Sequence, residues 1–337
     1  MVVKMKVEVN NVSKEMKKSI KTRVITAIIL VLVAVPALFF GSWPFVVLIL
    51  LLGIGATFEF IKAPGKSFPF PIHVITLVAL LSFVFWVFTK ENLTTVDFSS
   101  FINNFQMIDL YASTLAMVTV IALYFMMVIS SEKVAVTDAF YLFLMTMFIS
   151  LGLQSALFLR FCPTALYNEV ISPGSTFEYG FFLQEALLIV YVIGSALLND
   201  IFAYFVGILF GKHKMNPRIS PKKTWEGFFG GVILSVIFGL GFCFICDLLG
   251  APVLKGLLDL EHWYFCLLVS IVISVVSVLG DLMFSAIKRH FAIKDFGNIF
   301  PGHGGILDRF DSVLMTVFVV STVIVFLAHD PFGILGM

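Results

Sequence analysis

Charge and glycine crowd one stretch of this chain, Ser285 to Asp311, which reads SAIKRHFAIKDFGNIFPGHGGILDRFD. Only 13% of the 337 residues are charged, yet Lys288, Arg289, Lys294, Asp295, Asp308, Arg309 and Asp311 fall here together. Gly297, Gly302, Gly304 and Gly305 let the backbone turn sharply and approach a ligand closely. Cations, carboxylates and accessible amides in one segment suit a polyphosphate held with a divalent metal, because Mg²⁺ takes one or two carboxylates plus substrate phosphates.

The apolar run leading into this stretch carries Asp281. Asp281, Ser285 and Lys288 recur at i, i+4 and i+7 and so share one helical face. A carboxylate inside a span costs about 3 kcal/mol on insertion scales, and it marks a wet cavity, a partner or a site. Asp308 and Asp311 stand i, i+3 at the start of the next apolar run, close enough to repel unless a cation lies between them. Asp281, Asp308 and Asp311 are therefore the expected metal carboxylates. Their structural alternatives are an ion pair for Asp281 and a helix N-terminus for Asp311.

A second polar loop, GKHKMNPRISPKKTWEGFFGG, follows a helix carrying Asn199 and Asp200. Ser220 then Pro221 reads as an N-cap and first helical position, which predicts a helix starting there with Lys222 and Lys223 in its first turn. Lysines at that end oppose the helix dipole, so they point to a bound anion, with Glu226 as an alternative partner. Topological anchoring explains Lys212, Lys214 and Arg218 equally well. Glu59, in TFEFIKAPG, reads either as a further acid of the site or as an interface residue beside Lys62. His73, His262 and His329 sit at span edges; His303, between two glycines, is placed to touch a phosphate.

Some chemistries drop out. The chain has no G-x-x-x-x-G-K-[ST] and no G-x-G-x-x-G on a strand. It has no Ser or Cys in a triad context, and the C-x-x-C of Cys243 and Cys246 lies within GFCFICDLL, where small buried hydrophobes are expected.

These residues must be positioned by membrane helices. The chain is 60% hydrophobic, with mean hydropathy +1.04, where a soluble domain is about 45–50% apolar. A hydrocarbon core of about 30 Å needs about 20 apolar residues per helix. On that measure nine spans are expected, at 24–40, 45–61, 69–88, 109–130, 136–159, 185–210, 228–248, 263–286 and 312–329. The first run lacks a clean cleavage site and reads as an uncleaved helix. With the N-terminus inside, 19 of the 22 Lys and Arg fall on the cytoplasmic side and only Lys90, Arg160 and Lys255 on the other. The expected architecture is an all-α polytopic membrane protein, N-terminus cytoplasmic and C-terminus opposite. It divides into a basic segment 1–23, an N-terminal transmembrane half 24–184 and a C-terminal catalytic half 185–337. The loops 89–108 and 160–184 face outward and show no chemistry. No inverted repeat of the transporter kind is visible.

Ser285, Lys288-Arg289, Lys294-Asp295, Gly297, Phe300-Pro301, His303-Gly304-Gly305, Asp308-Arg309 and Asp311 together resemble the signature of the phosphatidate cytidylyltransferases, or CDP-diacylglycerol synthases. The segments NDIFAYFVGILFGKHK and SPKKTWEG, and Glu59 between two phenylalanines, are similar to other family blocks. The resemblance is strong over residues 185–312 and loose over the N-terminal half. It implies Mg²⁺-dependent transfer of a cytidylyl group from CTP to phosphatidic acid, giving CDP-diacylglycerol and pyrophosphate. It also implies a homodimer in a bilayer, with K⁺ sharing the metal site and no nucleic-acid partner. By position, Asp281, Asp308 and Asp311 become metal carboxylates and Lys288, Arg289, Lys294 and Arg309 meet phosphates. Ser220, Lys222, Lys223, Ser285, His303, Gly304 and Gly305 complete the substrate contacts, with Asp200 and Glu59 as further candidates. A bacterial inner membrane with the site on its cytoplasmic side is the expected location. A CTP-dependent lipid kinase or a CDP-archaeol synthase is the nearest rival, and a secondary transporter is the reading from a different class.

Overall fold

The computed structural model describes residues 25–26, 28–85, 110–178, 182–300 and 304–329. Its architecture follows from long apolar runs that can satisfy their backbone groups in hydrocarbon only by coiling into helices. Nine apolar helices occur among the described residues: α1 (Ile28–Phe40), α2 (Ser42–Lys62), α3 (Phe70–Phe85), α4 (Leu110–Ser130), α5 (Val136–Phe161), α6 (Leu187–Phe210), α7 (Trp225–Leu248), α8 (Trp263–His290) and α9 (Leu307–Ala328). Six of them, α2 and α5 to α9, are long and apolar enough to cross a membrane; α1, α3 and the described core of α4 are shorter. The basic segment 1–23 and the whole outward loop 89–108, Lys90 included, lie outside the described residues.

The helix α5 is the most enclosed of the long helices. It packs on α2, α3 and α4 on one side and on α9 on the other. The second cluster is α6, α7, α8 and α9. Within it α6 and α7 make the closest pair because small residues face each other. Ala203, Gly207 and Gly211 repeat every four residues on one side, Gly227 and Gly231 on the other, and a Cβ at Gly231 would come within 2.8 Å of Ala203. Such small-residue stripes let helix backbones approach in a bilayer. By contrast, α7 is the least enclosed long helix, and Phe229, Ile233 and Ile237 on its outer side are exposed.

Two sequence expectations need correction. Ser220 and Pro221 do not open a helix. They begin the strand β2 (Ser220–Thr224), paired antiparallel with β1 (Lys214–Asn216), a short ribbon in an otherwise all-helical architecture. Turn chemistry wins over capping here. In Asn216-Pro217-Arg218-Ile219 the Asn216 side chain accepts the Ile219 N–H at 3.2 Å, and Pro217 follows it with a preset φ. The helix α7 starts at Trp225, capped by Thr224, whose hydroxyl accepts the Gly227 N–H at 3.2 Å. Glu226 does not pair with Lys222 or Lys223; it accepts from the backbone of Lys212 and His213 and from the His213 ring, holding the base of the ribbon.

Arg160, counted on the side opposite the cytoplasm, is buried at the end of α5, where it donates to the carbonyls of Leu38 and Phe39 at 2.7 and 3.1 Å and so caps α1.

The helix α8 runs for 28 residues, roughly 42 Å, longer than its apolar stretch. Its last turn carries Lys288, Arg289 and His290, charges that favour a helix C-terminus. The chain then reverses through a Schellman turn. Ile293 N–H bonds to the Lys288 carbonyl at 2.9 Å and Ala292 N–H to that of Arg289 at 3.1 Å, with Ala292 at φ 53°. That reversal sends residues 294–300 back beneath α8 toward the start of α9.

Candidate active site

Four elements, β2, α6, α8 and α9, bring one cluster of acids and lysines together. Along β2 Pro221 and Lys222 are exposed and Lys223 and Thr224 are not, and the Lys223 Nζ lies 2.7 Å from Asp281 Oδ2. Ser285, one turn on in α8, donates to Asp281 Oδ1 at 3.2 Å. Two turns beyond Asp281, the buried Lys288 reaches Asp308 at 2.9 Å and Asp311 at 3.7 Å. Ser312 links the helices by donating from its hydroxyl to Asp200 of α6 at 3.0 Å, while its N–H bonds to Asp311 Oδ1 at 2.9 Å. Four carboxylates against two ammonium groups leave the cluster with a formal charge of −2.

The carboxylates differ in what remains free on them. Asp308 is the most engaged: Oδ1 accepts Lys288, and Oδ2 accepts the N–H groups of Phe296 and Gly305 at 2.8 and 3.0 Å. Among the described residues, Asp281 and Asp311 each meet one hydrogen-bond donor, Ser285 or Ser312, and one lysine. No group of three or more His, Cys, Asp and Glu among the described residues is close enough to enclose a metal by itself. The donor set still fits Mg²⁺, which keeps several waters and binds through one or two carboxylates plus substrate phosphates. Asp281 and Asp311 are the carboxylates with room for it.

The glycine-rich loop behaves differently from a phosphate cradle. Gly304 N–H bonds to the Phe300 carbonyl, Gly305 N–H to Asp308, and the N–H groups of Ile306 and Leu307 to the two oxygens of Glu59 at 2.8 and 2.9 Å. Those four amides are already engaged. Glu59 itself is 4% exposed, deep against the loop rather than at the interface beside Lys62. Its partners lie 247 and 248 residues away in sequence, a pairing no local pattern announces.

Exposed cations stand beside residues of the cluster along the chain and form its basic rim: Lys222 next to Lys223, Lys294 in the loop after Lys288, and Arg309 next to Asp308. Arg289, also exposed, donates to the carbonyls of Ile219 and Ile293 and so latches the ribbon turn to the end of α8. Ser220 is half-buried at the start of β2 and does not serve as a helix cap. His303 lies outside the described residues. Sequence reasoning missed Ser312 and Thr224; the signal for Thr224 was its place one residue before the W-E-G that opens α7.

Residues 21–327 match the Cytidylyltransferase family. The chain belongs to that family. Among relatives, it is similar to the phosphatidate cytidylyltransferase of Bacillus subtilis, 30% identical over 304 residues that cover 90% of this chain and 95% of that protein. It is also similar to the phosphatidate cytidylyltransferases of Staphylococcus haemolyticus, 46% identical over 129 residues, and of Staphylococcus epidermidis, 48% identical over 121. Those two matches cover 38% and 36% of this chain and less than half of each relative, 45% and 42%.

Proposed function

We propose that the protein transfers a cytidylyl group from CTP to phosphatidic acid, releasing pyrophosphate. The observation that carries this is the acid–lysine cluster: four carboxylates and two lysines from four elements, net negative, under exposed Lys222, Arg289, Lys294 and Arg309. The near full-length likeness to the Bacillus subtilis protein supports the substrate pair.

In this reading a phosphate oxygen of the lipid attacks the α-phosphorus of CTP, and the bond from that phosphorus to the α,β-bridging oxygen breaks, so that pyrophosphate leaves with that oxygen. No protein nucleophile is required, since a phosphate monoester is already largely deprotonated near neutral pH. The protein's work is to align two mutually repelling polyanions and to neutralise charge building on the pyrophosphate. Mg²⁺, when bound, would supply positive charge to offset that of the phosphates. Asp281 and Asp311 would be the carboxylates to hold it, with Asp200 of the same cluster nearby through Ser312. Asp308 fixes Lys288 and the loop, and Lys223 and Lys288 meet phosphates. The rim cations, with Ser220, steer CTP in from the water.

The nine apolar helices cross the membrane, with the N-terminus and the site on the cytoplasmic side of a bacterial inner membrane and the C-terminus opposite. The half 185–337 carries the chemistry. A homodimer and a K⁺ ion near the metal belong to the same reading.

The test uses the purified full chain in nanodiscs with CTP labelled at the α-phosphorus and phosphatidic acid, archaetidic acid or a polyprenol as acceptor. Label moving into a lipid product only with phosphatidic acid is expected. Label left in free CDP identifies a lipid kinase, and transfer to archaetidic acid alone identifies the archaeal-type synthase.

A further inference from the structure

Glu59 takes no part in the charge cluster. Among the described residues, no cation pairs with its carboxylate. Its charge faces the first turn of α9, where the Ile306 and Leu307 N–H groups take one oxygen each and the helix dipole is positive. Gly297 and Gly305 enclose it: a Cβ on either would run into its carboxylate. Gly55, one turn before it on α2, leaves room for the Ile306 side chain in the same way. The glycines at 297 and 305 are thus accounted for by a side chain from the other end of the sequence.

The loop between α8 and α9 is gripped from two sides. Asp308 Oδ2 ties Phe296 and Gly305 from within, and Glu59 ties the next two amides from outside. The cap and first two turns of α9 carry Glu59's two amides, Asp308, Arg309 and Asp311, so the direction of that helix start sets where Asp311 points and how Lys288 sits between the two aspartates.

We propose that Glu59 is a positioning residue: from α2 it sets the register of the glycine loop and of the first turn of α9, and through them the geometry of Asp308, Asp311 and Lys288. Glu59 touches neither substrate nor metal. The effect on turnover rests on the cytidylyl-transfer reading, while the effect on the loop does not.

The experiment compares the full chain with Glu59→Gln, Glu59→Asp, Gly305→Ala and the pair Glu59→Gln/Gly305→Ala in nanodiscs. It reads kinetics for CTP and hydrogen exchange over 297–310. Glu59→Gln is expected to lower kcat by about 30-fold or more with KM for CTP changed less than about threefold, the signature of an interaction that acts in the transition state. Exchange at Ile306 and Leu307 should quicken by about tenfold. Glu59→Asp, which keeps the charge but falls short of reaching both amides, should fall between. The double variant should be no worse than the worse single, because both changes break one contact. Wild-type kcat in Glu59→Gln or Glu59→Asp, or exchange unchanged at those amides in either, overturns the proposal. So does a double variant whose losses multiply. Quickened exchange in a protein whose wild type turns over no CTP supports Glu59's grip and sinks the reaction instead.

Discussion

Two aspartates of the cluster illustrate how differently the same side chain is used. Asp281 lies at the cluster with one oxygen on Lys223 and the other on a serine hydroxyl. Asp308 is buried with three donors on its two oxygens. Asp281→Asn keeps the shape and removes the charge, so turnover should fall by about 10²-fold or more while the melting temperature stays close to wild type. Activity near normal removes Asp281 from the metal site. Asp308→Asn should lose both turnover and stability, by about 3 kcal/mol, because buried Lys288 loses its partner at 2.9 Å and keeps only Asp311 at 3.7 Å. A thermal melt unchanged by that substitution means that the buried pair is not holding the loop. Lys288→Met removes the same pair from the other side, and calorimetry on the two variants should give similar losses.

At the scale of elements, the ribbon and the α6–α7 seam decide where Lys223 stands. Thr224 ends β2, caps α7 and follows Lys223 directly, so loosening that cap loosens the lysine. Thr224→Ala should cost about 1 kcal/mol and raise KM for CTP; an unchanged KM would mean that the ribbon holds Lys223 without it. A larger change at the seam is harsher. Gly231→Leu would drive a side chain into Ala203, so the helices must part and the variant should lose its folded form on size-exclusion chromatography. The turn after α8 offers the opposite case. Ala292 sits at positive φ, which costs an L-residue about 1–2 kcal/mol, so Ala292→Gly should raise thermal stability.

Across the whole molecule, the helices were the legible part. The runs expected at 136–159, 263–286 and 228–248 became Val136–Phe161, Trp263–His290 and Trp225–Leu248. Length and apolarity fix such elements, because only a coiled backbone is free of unmet donors in hydrocarbon. The cluster was legible through its acids: Asp281, Ser285 and Lys288 do share a face of α8. The missing part is pairing at a distance. Nothing near Glu59 names Ile306, nothing near Lys223 names Asp281, and an S-P-K-K that reads as a helix start became a strand because the N-P-R-I turn ahead of it closes a hairpin. Topology carries its own prediction. A single cysteine at Lys222 should react with an impermeant thiol reagent only from the cytoplasmic face, and one at Lys255 only from the other. Labelling of both from one face means that the number of crossings between them is even.

The bare outer side of α7 bears on selectivity among lipids. A soluble enzyme that pulls a diacyl substrate out of its membrane must replace about 0.8 kcal/mol of favourable surroundings for each methylene it extracts, and it comes to favour particular tails as a result. Here that apolar helix begins at Trp225, two residues after Lys223, so in the proposed reaction the tails can stay dissolved in neighbouring lipid throughout. Tail length then shifts the free energies of bound and unbound lipid together. Species differing by two or four carbons should be consumed in nearly the proportion in which the bilayer supplies them.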